Sequence, residues 1–136
     1  MKPLAHNSLS TSQLNDLTGQ IVDAAVTVHR ELGPGLLESA YEACLACELH
    51  ERGLKAVTQV GLPVSYKTVL LEIGYRVDIL VEDAVILELK AISALTPVHD
   101  AQLLSYLRLS GAKVGLLINF KVPLLKDGIK RLVHNL

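Results

Sequence analysis

Asp78, Glu88 and Lys90 are the residues of this chain best suited to do chemistry. They lie in the run Tyr75-Arg76-Val77-Asp78-Ile79-Leu80-Val81-Glu82-Asp83-Ala84-Val85-Ile86-Leu87-Glu88-Leu89-Lys90, which reads as a β-hairpin with a polar tip. Two carboxylates and a lysine are costly to desolvate in an otherwise apolar hairpin. A bound metal ion and the charge of a reacting phosphate would offset that cost.

The hairpin register follows from the pattern. Side chains alternate faces along a strand, so Val77, Ile79 and Val81 share one side, as do Val85, Leu87 and Leu89. Bringing both sets to one face pairs Val81 with Val85, Ile79 with Leu87 and Val77 with Leu89 around a three-residue loop, Glu82-Asp83-Ala84. Asp78 then faces Glu88, and Arg76 faces Lys90. Directly opposed residues have Cβ atoms about 4.5–5.5 Å apart. Two carboxylates at that range repel unless a cation lies between them. Magnesium takes oxygen ligands at about 2.0–2.1 Å and keeps several waters, so it suits the spacing. The site offers no convincing Cys/His cluster, which points to magnesium or manganese rather than zinc.

The elements around the hairpin must hold it. Leu17, Ile21, Ala25, Val28 and Leu32 recur at helical spacing, predicting a helix from about Ser12 or Asn15 to Leu32. Gly33-Pro34-Gly35 ends it. A second helix is expected from near Leu37 to Gly53. Ala56 to Tyr66 reads as a strand broken at Gly61-Leu62-Pro63, and Val69 to Ile73 as its return. Thr96-Pro97 should open a third helix, with Thr96 as N-cap, running from about Val98 to Ser110. Val114 to Asn119 is a continuous apolar run, hence a buried central strand. Ile129 to Val133 reads as a final strand. The predicted class is α/β, a mixed central sheet flanked by helices. Residues 1–12 are expected to be loosely ordered and residues 13–136 to form a single domain.

Composition narrows the function classes. The chain has 136 residues and a formal net charge of −1, which argues against tight non-specific binding to nucleic acid through many cationic contacts. A local basic rim of Arg76, Lys90, Arg108, Lys113 and Lys121 would still serve a nuclease. No stretch approaches a membrane span, and the N-terminus lacks the apolar core of a signal peptide, so the expectation is a soluble, cytoplasmic protein with no membrane partner. Cys44 and Cys47 form an isolated CxxC and are read as two reduced core cysteines.

Asp78 followed by Glu88-Leu89-Lys90, then a helix and a strand, resembles the PD-(D/E)xK nuclease superfamily. More narrowly, Gly35-Leu36-Leu37-Glu38-Ser39-Ala40-Tyr41 looks like the signature of the GxxExxY proteins. The likeness continues through residues 96–108 and 115–120, and covers about Leu17 to Val133. The resemblance implies a restriction-endonuclease-like fold and hydrolysis of phosphodiester bonds in DNA or RNA, with magnesium or manganese as cofactor. It implies Asp78, Glu88 and Glu38 as metal ligands and Lys90 facing the scissile phosphate and the attacking water. Gln102 and Tyr106, four apart on one helix, match a motif that flanks the site in RecB-type members.

Plainer roles stand beside these. Glu38 in the first turn of a helix meets a favourable dipole. Gln102 could be a solvated helix residue, Tyr41 and Tyr106 core residues, and Lys90 an ion-pair partner of Asp78 or Glu88. His29 and His99 are weaker proton-carrier candidates. The competing class is a catalytically inactive nuclease-fold module that binds nucleic acid or a protein partner. A homodimer cutting two strands is a further possibility.

Overall fold

The computed structural model describes residues 8–72 and 75–136. Helix α1 (Thr11–Leu32) starts at a capping box in which Ser10 and Gln13 satisfy each other's backbone N–H groups. Its apolar stripe buries Leu14, Leu17, Ile21, Ala25 and Val28. Gly33, at φ 73°, ends it in a conformation that favours glycine. Helix α2 (Glu38–Glu51) packs beside α1 and buries Tyr41, Leu45 and Leu49. Arg52 bridges the two helices, donating to Asp23 at 2.5 Å and to Glu48 at 3.1 Å.

Five strands form the central sheet: β1 (Ala56–Gly61), β4 (Arg76–Val81), β5 (Val85–Lys90), β6 (Val114–Asn119) and β7 (Ile129–Val133), in the order β1-β4-β5-β6-β7. β5 and β6 are parallel, joined by α3 (Pro97–Ser110), and the other pairs are antiparallel. Strands β2 (Val64–Tyr66) and β3 (Val69–Leu71) form a separate small hairpin inserted between β1 and β4. The mixed sheet flanked by helices expected from the sequence is therefore present. The expected return strand stops at Leu71, and Ile73 lies outside the described residues. Residues 1–7 of the expected loose segment also lie outside them, whereas Ser10 already belongs to the helix cap.

Two cores sandwich the sheet. On one face, α1 and α2 pack on Ile79, Val81, Val85, Leu87, Leu89, Leu116 and Ile118. On the other, Leu103, Tyr106 and Leu107 of α3 pack on Leu80, Ile86 and Leu117. Gly115 lets α3 come close, because a Cβ there would lie 2.9 Å from Leu103 Cδ1. The alternation of β5 and β6 accounts for both cores: odd and even positions are apolar because both faces are covered.

Three local expectations are corrected. Val77 belongs to the α3 core, not to the face of Ile79 and Val81. The Val77–Leu89 pair is not part of the ladder, which ends at Ile79–Leu87. Both follow from a distortion at Asp78, described below. The CxxC is not a core pair, since Cys44 is half-buried and Cys47 exposed. The buried stripe of α2 runs through Tyr41, Leu45 and Leu49 and leaves Cys47 outside it.

Candidate active site

The site lies where one strand pair opens. From the turn inwards β4 and β5 pair normally: Val81 with Val85, Leu80 with Ile86, Ile79 with Leu87. Beyond that point β4 follows β1, through Val60–Val77 and Gly61–Arg76. β5 follows β6, through Glu88–Leu117 and Lys90–Asn119. Side chains take over the backbone groups at the fork. Asp78 N–H donates to Glu88 Oε1 at 3.2 Å, and Leu89 N–H donates to Asp78 Oδ2 at 2.7 Å. The carboxylates thus do what the ladder would have done.

Across from Asp78, β1 is distorted too. Gln59 has φ 52°, a left-handed conformation unusual for a residue other than glycine. It and Asp78 are skipped in an otherwise continuous register. Gln59 Nε2 donates to Glu42 Oε1 at 2.6 Å and reaches Asp78 Oδ1 at 3.4 Å. The sequence reading missed both Gln59 and Glu42. Glu42 was findable, four residues after Glu38 on the same helix face. Nothing local marks Gln59.

Glu38, Ser39, Glu42, Gln59, Asp78 and Leu89 line a hollow of about 360 Å3. Glu38 comes from the first turn of α2, and its Oε1 accepts Ala91 N–H at 3.2 Å. Tyr41 sets that turn: its ring stacks on Phe120 with centroids 4.3 Å apart. Its hydroxyl donates to Gly33 O and accepts from Leu36 N–H at 3.0 Å. The buried tyrosine therefore pins the 33–36 segment that presents Glu38. A larger hollow of about 480 Å3 lies between the end of α1 and residues 123–126, but no carboxylate lines it.

Glu88 is only 5% exposed. Burial, and next the charge of Asp78, push its carboxyl up to about 8, against the opposing pull of Asp78 N–H and Lys90. The metal-free site thus favours a proton on Glu88 at neutral pH. Burial raises Glu42 as well; Asp78 adds to the rise and the Gln59 hydrogen bond opposes it. Lys90 is half-buried, two residues beyond Glu88 on the same strand, and makes no ion pair within 4 Å among the described residues.

With this geometry in view, the comparisons with known proteins decide the family. The pattern of the PD-(D/E)XK nuclease superfamily matches residues 15–132. The chain belongs to that superfamily. A solved structure, described as that of SSO0001, shares 20% identity at a TM-score of 0.47. The likeness covers 82% of this chain but 63% of that one, so this chain spans less than two thirds of that protein. A comparison with curated proteins finds none that matches.

The remaining candidates of this superfamily member divide clearly. Gln102 does not line the carboxylate hollow. It lines a neighbouring one, with Tyr75 and Tyr106, on the α3 side of the sheet. Tyr106 is buried, as a core role requires, and lines the hollow of Gln102. Its hydroxyl is raised first by burial and next by the charge of Glu88, while Gln102 opposes the rise. His29 spends Nε2 on Val122 O at 2.9 Å, and His99 Nδ1 accepts Thr96 N–H at 2.9 Å in the cap of α3. Each thus has one ring nitrogen engaged by the backbone. Of the expected basic rim, Arg76, Lys90 and Lys121 share the end of the sheet that holds the fork. Arg108 and Lys113 fall towards the other end, beside the last turn of α3 and the start of β6.

Among the described residues, no group of three His, Cys, Asp or Glu side chains converges to hold a metal. Gln59 links Asp78 to Glu42, and Asp78 and Glu88 meet at the fork through the backbone hydrogen bonds each accepts from the other's strand. That donor set fits magnesium or manganese, which bind through one or two carboxylates with waters and substrate phosphate oxygens completing the shell. Their crowding fits a cation as well, because the pair accommodates itself without one by favouring protonation of Glu88.

Proposed function

We propose that this superfamily member is a magnesium- or manganese-dependent nuclease of the GxxExxY group that hydrolyses phosphodiester bonds of DNA or RNA. One observation carries the reading: the β4–β5 ladder opens where Asp78 and Glu88 meet, with Lys90 two residues further along. Asp78 and Glu88 would hold the ion, and Glu38, which lines a hollow with Asp78, would order its water shell. A bound divalent ion would supply a more acidic water and neutralise charge on the phosphate. Lys90 would orient the attacking water and stabilise the developing oxygen charge. Arg76 and Lys121 stand at the same end to meet the phosphates that flank the cut.

Magnesium-dependent cleavage of labelled DNA and RNA tests this directly. Lys90→Ala should lose about 10²–10³ in kcat, by analogy with removal of one charge-stabilising donor. Its metal affinity should stay equal or rise slightly, since a competing cation is gone. Full activity in that variant would make Lys90 a structural ion. A second reading is an inert nuclease-fold binding module, because a fold alone does not carry an activity. Calorimetry separates the two: an inert module takes up no magnesium or manganese through Asp78 and Glu88.

A further inference from the structure

A second hollow stands on the α3 side of the sheet. It measures about 290 Å3 and is lined by Val64, Tyr75, Gln102, Ser105, Tyr106 and Leu109. The walls are apolar and aromatic. The Tyr75 and Tyr106 rings lie 6.3 Å apart, tilted by 58°. One face of α3 supplies the Gln102 amide, which both donates and accepts, and the hydroxyls of Ser105 and Tyr106, while Tyr75 adds a hydroxyl from beside β4. Among the described residues, no charged one lines it.

That chemistry suits a flat, uncharged heteroaromatic ring with donors and acceptors along its edge. The few aromatic residues of the chain point the same way. There are four tyrosines, one phenylalanine and no tryptophan. Tyr41, Tyr106 and Phe120 are buried, whereas Tyr66 is 64% and Tyr75 49% exposed. Both exposed rings lie on this flank, one on the small β2–β3 hairpin that supplies Val64, the other just before β4. The hairpin follows β1 and precedes β4 at the end of the sheet where the fork lies. Tyr75 directly precedes Arg76, the first residue of β4, and so stands three residues before Asp78.

We infer that this slot receives an unpaired nucleobase next to the bond to be cut, with Tyr75 stacking on it and Gln102 reading its edge. The inference rests on the nuclease reading for the strand it invokes, and it names the substrate class as single-stranded or frayed nucleic acid. A base within a duplex would first have to unstack and unpair to enter. Aromatic stacking beside a backbone-binding track is a general way to hold single strands.

Binding can be measured apart from cleavage, in EDTA, by fluorescence anisotropy. The probes are labelled twelve-nucleotide homopolymers of A, C or T, a blunt duplex, and free mononucleotides. Single strands should bind at least about tenfold more tightly than duplex. Tyr75→Ala should weaken single-strand binding roughly 5- to 150-fold, the range for loss of one stacked base, while Tyr75→Phe binds as wild type. Gln102→Leu should keep most of the affinity but flatten the preference among homopolymers. Mononucleotides should compete poorly; competition as strong as that of the oligomers would mean a site for free nucleotides and would overturn the strand-bound reading. Unchanged binding in Tyr75→Ala, equal wild-type affinity for all homopolymers, or preference for duplex would overturn the slot. The two proposals fail separately. Magnesium-dependent cleavage with indifferent Tyr75 and Gln102 variants removes the slot and keeps the nuclease. Tyr75-dependent binding without cleavage does the reverse, and absence of both binding and cleavage removes both.

Discussion

The β4–β5 hairpin has two unlike ends. At the turn, Ile79, Val81, Val85 and Leu87 are fully buried and the backbone pairs in regular register. At the other end, three residues away, the strands separate and the carboxylates of Asp78 and Glu88 satisfy the released N–H groups. The closed end serves the fold: its stability comes from apolar burial on both faces. The open end leaves charge poorly solvated and a hollow beside it. Regular pairing and an accessible charged site exclude each other within one ladder, so the sheet confines the irregularity to a single fork and anchors it with the regular part.

That contrast can be broken at either end. The largest effect on stability should come from the closed end. Leu87→Ala should destabilise the protein by about 2–5 kcal/mol, as for other fully buried leucines, measured by urea unfolding. A loss below ~1 kcal/mol would mean that this end is not the anchor.

The open end should respond to pH. Glu88 is raised from its ordinary range to about 8 in the fold. The folded state then binds the extra proton between the unfolded and folded values, so stability falls as pH rises through that window. The metal-free protein should be most secure on this account below about pH 4.5 and should lose a few kcal/mol by pH 8. Melts in EDTA from pH 5 to pH 9 should show this slope, and Glu88→Gln should flatten it. Glu42, raised in the same direction, would contribute a smaller slope that survives in Glu88→Gln.

A smaller effect sharpens the contrast. Asp78→Asn should raise the metal-free stability by about 1 kcal/mol, because an amide oxygen still accepts Leu89 N–H while the charge beside Glu88 is gone. Magnesium should raise the melting temperature of the wild type through binding linkage and do much less for the variant. A variant that melts lower than wild type in EDTA, together with a wild type indifferent to magnesium, would assign Asp78 to the fold.

Much of this architecture was legible in the residues. The helical periodicity of α1, the Thr96-Pro97 start of α3, the loop Glu82-Asp83-Ala84 and the apolar run of β6 are local signals, and each element formed within a few residues of its expected limits. Local pattern also singled out Asp78, Glu88 and Lys90, because charge inside an apolar alternation stands out. It failed at Val77 and at its pairing with Leu89, where the regular ladder was extended one step too far, although Leu89 keeps the expected face. The cause lies on another strand: β4 parts from β5 because β1 and β6 each hold one of them. Gln59 is invisible in the sequence for the same reason. Its backbone conformation, and its reach to Glu42 and Asp78, exist only once β1 lies beside β4 and α2 lies over both.

The sequence by itself determined which elements form and which charged residues are out of place, since both depend on period and composition within a few neighbours. Tertiary structure alone decided how those residues are shared out. Glu38 and Glu42 join Asp78 in one hollow, Gln102 joins Tyr75 in another, and Glu88 lines neither but accepts from Asp78 N–H at the fork. That division depends on which helix covers which face of the sheet and where the ladder opens, and long-range packing sets both.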